Sequence, residues 1–284
     1  MLESGYRVYE PNQKRRVGFF KTWYVMVINI IKSKDLIIQL FKRDFLAAYK
    51  KSFMGIAWVL LSPLFGVISW VFMNKTGLLN PGDVKISYTA YVLLGSSIWG
   101  LFMSFYSSSS QTLNAGISFI LQVKYPHEAL LVKQVAEQLS NFLLSFVLTL
   151  VIIILLGVVP SWKIIFFPLM VLPLFFMASS IGLVVSVIGV VAPDIQKVAT
   201  MVMTLGIYTV PVIYSNNVED ATLQLIIKYN PLSYLITGMR DIIIDGTLPG
   251  YREYFMACAS SIVMFLASWR FFFISEEIVI EKMI

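Results

Sequence analysis

The residues that could do chemistry in this chain are few, and their positions exclude more reactions than they suggest. His127 is the only histidine among 284 residues and Cys258 the only cysteine. Neither an intrachain disulfide nor a thiolate metal cluster can form, and Cys258, inside an apolar run, reads as packing. A Ser-His hydrolase would have to use His127, which falls in a polar stretch and at the wrong depth for intramembrane catalysis. Gly95-Ser96-Ser97 is a faint version of a nucleophile turn and reads better as small-residue helix packing. No Gly-x-x-x-x-Gly-Lys-Ser/Thr phosphate loop occurs, so ATP-driven work would need an ATPase on another polypeptide. Glu137, Asp194, Lys197, Glu253 and Arg270 sit at or near the ends of apolar runs. Ion-coupled transporters bind their ion inside a span, so this placement argues against one. The expectation is a chain that is no enzyme and holds no metal and no cofactor of its own.

The elements that must position these residues are membrane spans. With 58% hydrophobic and 13% charged residues and a mean hydropathy of +0.78, a soluble domain of this length would have more apolar surface than a core can bury. The net charge of +6 would suggest nucleic acid on a soluble fold, but the basic residues flank apolar spans, so no nucleic-acid partner is expected. Six segments approach the ~20 apolar residues that a bilayer requires: 55–73, 88–106, 139–159, 164–192, 198–214 and 254–274. Eleven of the 22 Lys and Arg residues precede Ser52, whereas the loop after the first span carries only Lys75 and Lys85. Positive-inside topology then puts both termini in the cytoplasm. Residues 1–16 are polar and lack the apolar core of a secretion signal, so the first span is expected to direct insertion.

Three shorter segments break this pattern. Residues 34–51 plot as an amphipathic helix, with Leu36, Ile37, Leu40, Phe41, Phe45 and Ala48 on one face and Gln39, Lys42, Arg43 and Lys50 on the other; Asp44 and Lys51 intrude near the apolar arc. Such a helix lies along a membrane interface, where its basic residues meet lipid head groups or a phosphate-bearing substrate. The fifth span is short and carries Pro211, so it is expected to stop or bend there. Beyond it, residues 220–229 form a short amphipathic candidate. Asn230-Pro231 then reads as an N-cap with proline at the first helical position, followed by helical spacing through Leu232, Leu235, Ile236, Met239, Ile242 and Ile243 up to a terminating Gly246. Neither helix is long enough to span. Each lies flat on the outer leaflet or is re-entrant, and re-entrant backbone must be buried in protein or line a wet cavity. Between the second and third spans, residues 121–133 (LQVKYPHEALLVK) form a polar break in which Pro126 is placed to start a helix.

Several stretches, in order and at suitable spacing, resemble the membrane subunits of type-2 ABC exporters of lipid-linked polysaccharides, the O-antigen, capsule and teichoic-acid permeases. They are RDFLAAYKKSFMGIAWVLLSPL (43–64), YVLLGSSIWGLF (91–102), VKYPHEALL (123–131), PVIYS (211–215) and NPLSYLITGMRD (230–241). The resemblance implies an all-α integral membrane protein with a cytoplasmic tail and interfacial helix over 1–52, six transmembrane helices over 53–275, re-entrant gate helices within 216–250 and a cytoplasmic tail over 276–284. It implies a homodimer around a glycan-sized channel in the bacterial inner membrane, driven by two copies of a separate ATP-binding cassette subunit that binds ATP and Mg. Tyr125, Pro126, His127 and Glu128 would couple to that subunit. Arg43, Tyr49 and Lys50 would lie where an undecaprenyl-linked pyrophosphate enters, and Asn230, Pro231, Tyr234 and Arg240 would belong to the outer gate. One departure is Pro193-Asp194, where these permeases often carry Arg-Asp.

Aromatic faces pack on the C–H faces of sugar rings with little demand for specific hydrogen bonds. At 14% aromatic, the chain has candidates for a channel lining in Trp58, Trp70, Tyr91, Trp99, Phe102, Tyr106 and Tyr208. A gated channel or structural membrane subunit without an ATPase stays open as the alternative class, in which the short outer helices form a pore vestibule.

Overall fold

A computed structural model describes residues 18–50, 57–113, 127–216 and 220–283, and helix is the only regular structure among them. Helix α1, Phe19–Lys32, is one the sequence reading passes over. Its Thr22 and Met26, four residues apart, are both fully buried, and the helix meets the last long helix where Trp23 Nε1 donates to the Leu266 carbonyl (3.2 Å) and Arg270 Nη1 to Thr22 Oγ1 (2.9 Å). Ser33 ends α1, and α2, Lys34–Lys50, is the expected amphipathic helix.

Then come α3, Ala57–Lys75, α4, Tyr88–Ser110, and α5, His127–Leu155. Gly157, at φ +86°, reverses the chain, and a 3₁₀ turn over Trp162–Phe166 leads into α6, Phe167–Val191. Helix α7, Pro193–Leu205, follows at once. Two short helices, α8, Ala221–Tyr229, and α9, Pro231–Ile244, precede α10, Tyr251–Met283.

Among the described residues, four helical stretches are long and apolar enough to cross a membrane: Tyr88–Ser110, Glu128–Leu155, Trp162–Val191 and Tyr251–Ser275. The other two expected spans are shorter. The first appears as the 19-residue α3, with Leu64–Lys75 as its apolar stretch. The fifth, expected over 198–214, is the 13-residue α7 followed by a 3₁₀ turn at Gly206–Thr209. At 1.5 Å per residue, 13 residues reach about 20 Å, short of the ~30 Å hydrocarbon core. Pro211 stops the 3₁₀ turn from continuing, because proline pushes the residue before it out of the helical region. Val210 is accordingly extended, at φ −127° and ψ 137°.

Helices α4 and α6 form the centre, each with 61% of its spanning window buried, against 22% and 28% for α5 and α10. They cross closely because Gly182 has no side chain: a Cβ there would stand 2.7 Å from the Tyr106 carbonyl oxygen. Chain direction puts α1, α2, the start of α5 and the end of α10 at one end of the bundle. The 76–87 loop, the α5–α6 turn, α8 and α9 gather at the other, joined by the bond from Ser161 N to Ile243 O (2.7 Å).

Candidate functional site

At the end remote from the basic N-terminal segment, the chain leaves α7 and runs through the non-helical, buried stretch Val210–Ser215. Irregular backbone in a membrane protein needs partners for its polar groups, and here side chains supply them. Tyr88 Oη donates to the Ile213 carbonyl (3.0 Å), Tyr91 Oη to Tyr214 (2.8 Å) and Arg240 Nη1 to Pro211 (2.8 Å), while Ser215 N donates to Pro81 O (2.7 Å). The segment lies against α4 at Gly95, where an added Cβ would meet the Val212 carbonyl oxygen at 2.7 Å. Gly95-Ser96-Ser97 is thus a packing site: Ser97 Oγ donates to Leu93 O (2.8 Å) and shares a hydrogen with Thr149 Oγ1 (3.1 Å).

The two short helices close over this stretch. Asp220 caps α8 by accepting from Leu223 N (2.7 Å). Asn230 caps α9, accepting from Leu232 N (3.0 Å), and its Nδ2 donates back to Thr209 O (3.3 Å). Pro231 is the first helical residue and Gly246, at φ +64°, ends the helix, as the sequence leads one to expect. Tyr234 Oη donates to Lys228 O (2.9 Å), tying α9 to the end of α8. Arg240 is 2% exposed, and its guanidinium carbon stands 3.9 Å from the centroid of the Tyr91 ring. Asn230, Pro231, Tyr234 and Arg240 therefore belong to one assembly. At its rim Lys85 donates to Asp245 Oδ2 (2.6 Å), which raises the ammonium pKa above the ordinary lysine value.

The opposite end carries a second charged assembly. Ile37 and Leu40 of α2 are buried against Ala129 and Leu130 of α5. Asp44, which intrudes near the apolar arc, does so because it meets α5: Lys133 Nζ lies 2.7 Å from Asp44 Oδ2 and 2.9 Å from Glu137 Oε1. Arg43 Nε contacts Asp44 Oδ1 at 2.6 Å. Burial alone raises the Asp44 pKa, but hydrogen bonds and charge from Arg43 and Lys133 outweigh it and hold the carboxyl below its usual value. Lys133 was not among the residues singled out from sequence; the signal that could have found it was Asp44 itself, a carboxylate in an apolar arc that needs a cation from a neighbouring helix.

Glu128, expected to touch an ATPase, is 1% exposed at the head of α5, with Asn29 Nδ2 at 3.5 Å from its Oε1. A carboxylate in the first turn suits the helix dipole, and the side chain is turned inward beside Asn29 of α1. Tyr125 and Pro126 lie outside the described residues, as do the side chains of His127, Tyr49 and Lys50.

The aromatic candidates separate into two groups. Trp99, Phe102 and Tyr106 are at most 7% exposed and belong to the central core, so within this chain they face other side chains, while the buried Tyr91 lies against the Arg240 guanidinium at the outer end. Trp58 and Tyr208 are exposed, and Tyr208 makes an edge contact with Trp70 at 6.1 Å. A polar groove of about 400 Å³ between α3, α4 and α5 is a feature the sequence reading missed; Ser96, Ser104, Gln138, Asn141 and Ser145 line it. Its signal was the helical spacing of Ser96, Gly100 and Ser104 beside Gln138, Asn141 and Ser145.

The sequence model of the family described as ABC-2 type transporter matches residues 35–244, from α2 to the last residue of α9. The chain belongs to that family. The ABC-2 match takes in the inner charged assembly, the groove and all of the outer assembly but Asp245, so these are parts of a type-2 ABC permease subunit. The chain is 25% identical over 245 residues to the O-antigen export system permease protein RfbA of Myxococcus xanthus, covering 86% of this chain and 93% of the relative. It is 24% identical over 219 residues to the RfbA permease of Klebsiella pneumoniae, covering 75% and 82%. A second Klebsiella pneumoniae RfbA permease is 23% identical over the same length.

Proposed function

We propose that this permease is the transmembrane subunit of an ATP-driven exporter that moves an undecaprenyl-linked polysaccharide of O-antigen type across the bacterial inner membrane. The observation that carries the reading is the similarity to three O-antigen export permeases over 75–86% of the chain within an ABC-2 family match. With no P-loop in the sequence, ATP and Mg belong to a separate cassette subunit, two copies per permease homodimer. Six crossings, counting α3 and α7 as shortened spans, put both termini and the Arg43–Asp44–Lys133 assembly in the cytoplasm by the positive-inside rule.

The lipid pyrophosphate arrives beside α2, where Arg43 keeps an exposed side chain although its Nε is engaged by Asp44. Coupling falls to the 121–127 part of the connection, since Glu128 is buried. Helix α7, none of whose residues is buried, and the exposed Trp58 and Tyr208 face the second copy and the glycan. Helices α8 and α9 are the outer gate, seated on the buried Val210–Ser215 stretch.

Purification of the tagged chain from its native membranes in mild detergent, with mass and ATPase measurement, tests the reading. A particle of two permeases and two ATPases is expected. A stable homo-oligomer without ATPase activity under several extraction conditions would move the assignment to a gated channel or structural subunit.

A further inference from the structure

The 76–87 loop, the stretch ending at Ser215 and the last turn of α9 enclose a pocket of about 320 Å³. Arg240 lies at its buried side. Nη1 is committed to Pro211, yet Nε is buried and makes no hydrogen bond; the nearest charged acceptor, Asp241 Oδ1, stands 3.8 Å away. A buried charged donor left unfilled is unfavourable in a finished fold and marks a place where something else can bind. Asp83, Lys85 and Asp245 complete the lining, with Lys85 paired to Asp245 at the rim.

The mixture of charges selects the ligand. Three carboxylates, of Asp83, Asp241 and Asp245, repel an anion, and the Arg240 guanidinium and Lys85 ammonium repel a metal cation. No group of three or more His, Cys, Asp or Glu residues among the described residues could hold a metal ion. A ligand without net charge that presents donors and acceptors side by side satisfies both kinds of group. The vicinal hydroxyls of a sugar do this: each donates to a carboxylate while accepting from a guanidinium or ammonium. The volume, at the low end for small-ligand sites, suits one ring rather than a chain.

We propose that this pocket is a monosaccharide subsite that takes one neutral sugar unit at the outer end of the permease, with Arg240 and Asp241 as its inner contacts and Asp83, Lys85 and Asp245 as its rim. It rests on the exporter reading only for the source of the sugar, the emerging glycan. A unit held there has already left the bundle and resists sliding back.

The test titrates the full chain in lipid nanodiscs with neutral methyl glycosides of a hexose, a 6-deoxyhexose and an N-acetylhexosamine, and separately with inorganic phosphate and calcium chloride, read by ligand-observed NMR. At least one glycoside is expected to bind with a dissociation constant of about 1 mM, as befits a single ring. Asp83→Asn and Asp245→Asn, at the exposed rim where folding is not at stake, are expected to weaken it about tenfold through loss of a charged acceptor. Lys21→Gln, exposed on α1 at the opposite end of the bundle, leaves it unchanged. The proposal is overturned if no glycoside binds, if both rim variants bind as the wild type does, or if phosphate or calcium takes the site instead. Glycan export by the native complex is measured on the same variants. Export without glycoside binding sinks the subsite and spares the exporter reading, whereas glycoside binding by a chain that has no ATPase companion sinks the exporter reading and sustains the subsite.

Discussion

Arg240 shows how one side chain can hold a non-helical stretch together. Its guanidinium satisfies the Pro211 carbonyl and covers the Tyr91 ring, and Tyr91 in turn holds Tyr214. Arg240→Ala removes a charged hydrogen bond and a cation–π contact together, a loss of about 2–4 kcal/mol. Unfolding of the nanodisc-held chain, followed by tryptophan fluorescence, should move to lower temperature; an unshifted midpoint would mean that the stretch is held by the tyrosines alone. Asp44 gives a pH-dependent counterpart. Its folded-state pKa lies below the unfolded value of about 3.9, so its contribution is present above that value and is lost as pH falls through the depressed pKa. Asp44→Asn is therefore expected to destabilise the chain at pH 7 and to matter progressively less as pH falls below the unfolded value of about 3.9, which melts over an acid pH series would check. Neither role is visible along the chain. Arg240 and Asp44 are legible as charges within apolar patterns, but their partners are 29 and 89 residues away.

At the scale of elements, the caps were legible and the break in the fifth span was partly so. Asn230-Pro231 and Gly246 announce α9 because capping is local: the side chain that satisfies Leu232 N sits two residues before it. Asn230→Ala should cost about 1 kcal/mol in helix stability. It should also free Thr209 O, which hydrogen exchange would register as faster exchange over both α9 and the 206–210 turn; protection lost from α9 alone would show that the cap does not anchor the turn. Pro211 predicts a bend, yet the α-helix ends at Leu205, earlier than proline alone requires, because the stretch that follows is pulled into a buried slot beside Gly95. Gly95→Leu is expected to force the Val210–Ser215 stretch off α4, and a cysteine at Ser215, in a Cys258→Ala background, should then become accessible to a water-soluble maleimide. Helix α1 went unread because it lacks a strong cap: no side chain bonds at its start, and its burial comes from α5 and α10, far along the chain.

For the whole molecule, the exposed surface sets the expectation. Helix α7 carries the exposed apolar residues Val198, Met201, Val202 and Leu205, and a second copy that covers them would bury what one copy leaves open. In the Cys258→Ala background, Met201→Cys should form an oxidant-dependent crosslinked dimer on a denaturing gel, and a monomer band unchanged by oxidant would count against a dimer through α7. The sequence by itself determined the solvent, the helical class and the family resemblance, since hydropathy, capping and motif order are properties of neighbouring residues and need no partner from elsewhere in the chain. Only the tertiary structure decided which aromatics are core and which are free, that Glu128 turns inward, and that Arg240, Asp241, Asp245 and Lys85 share one pocket. Those outcomes depend on which helix crosses which. A periodic pattern gives each helix an apolar face but does not say what will cover it, and here the cover came from the α4–α6 crossing at Gly182, from the Val210–Ser215 stretch seated at Gly95 and from the Asp44–Lys133 pair between α2 and α5.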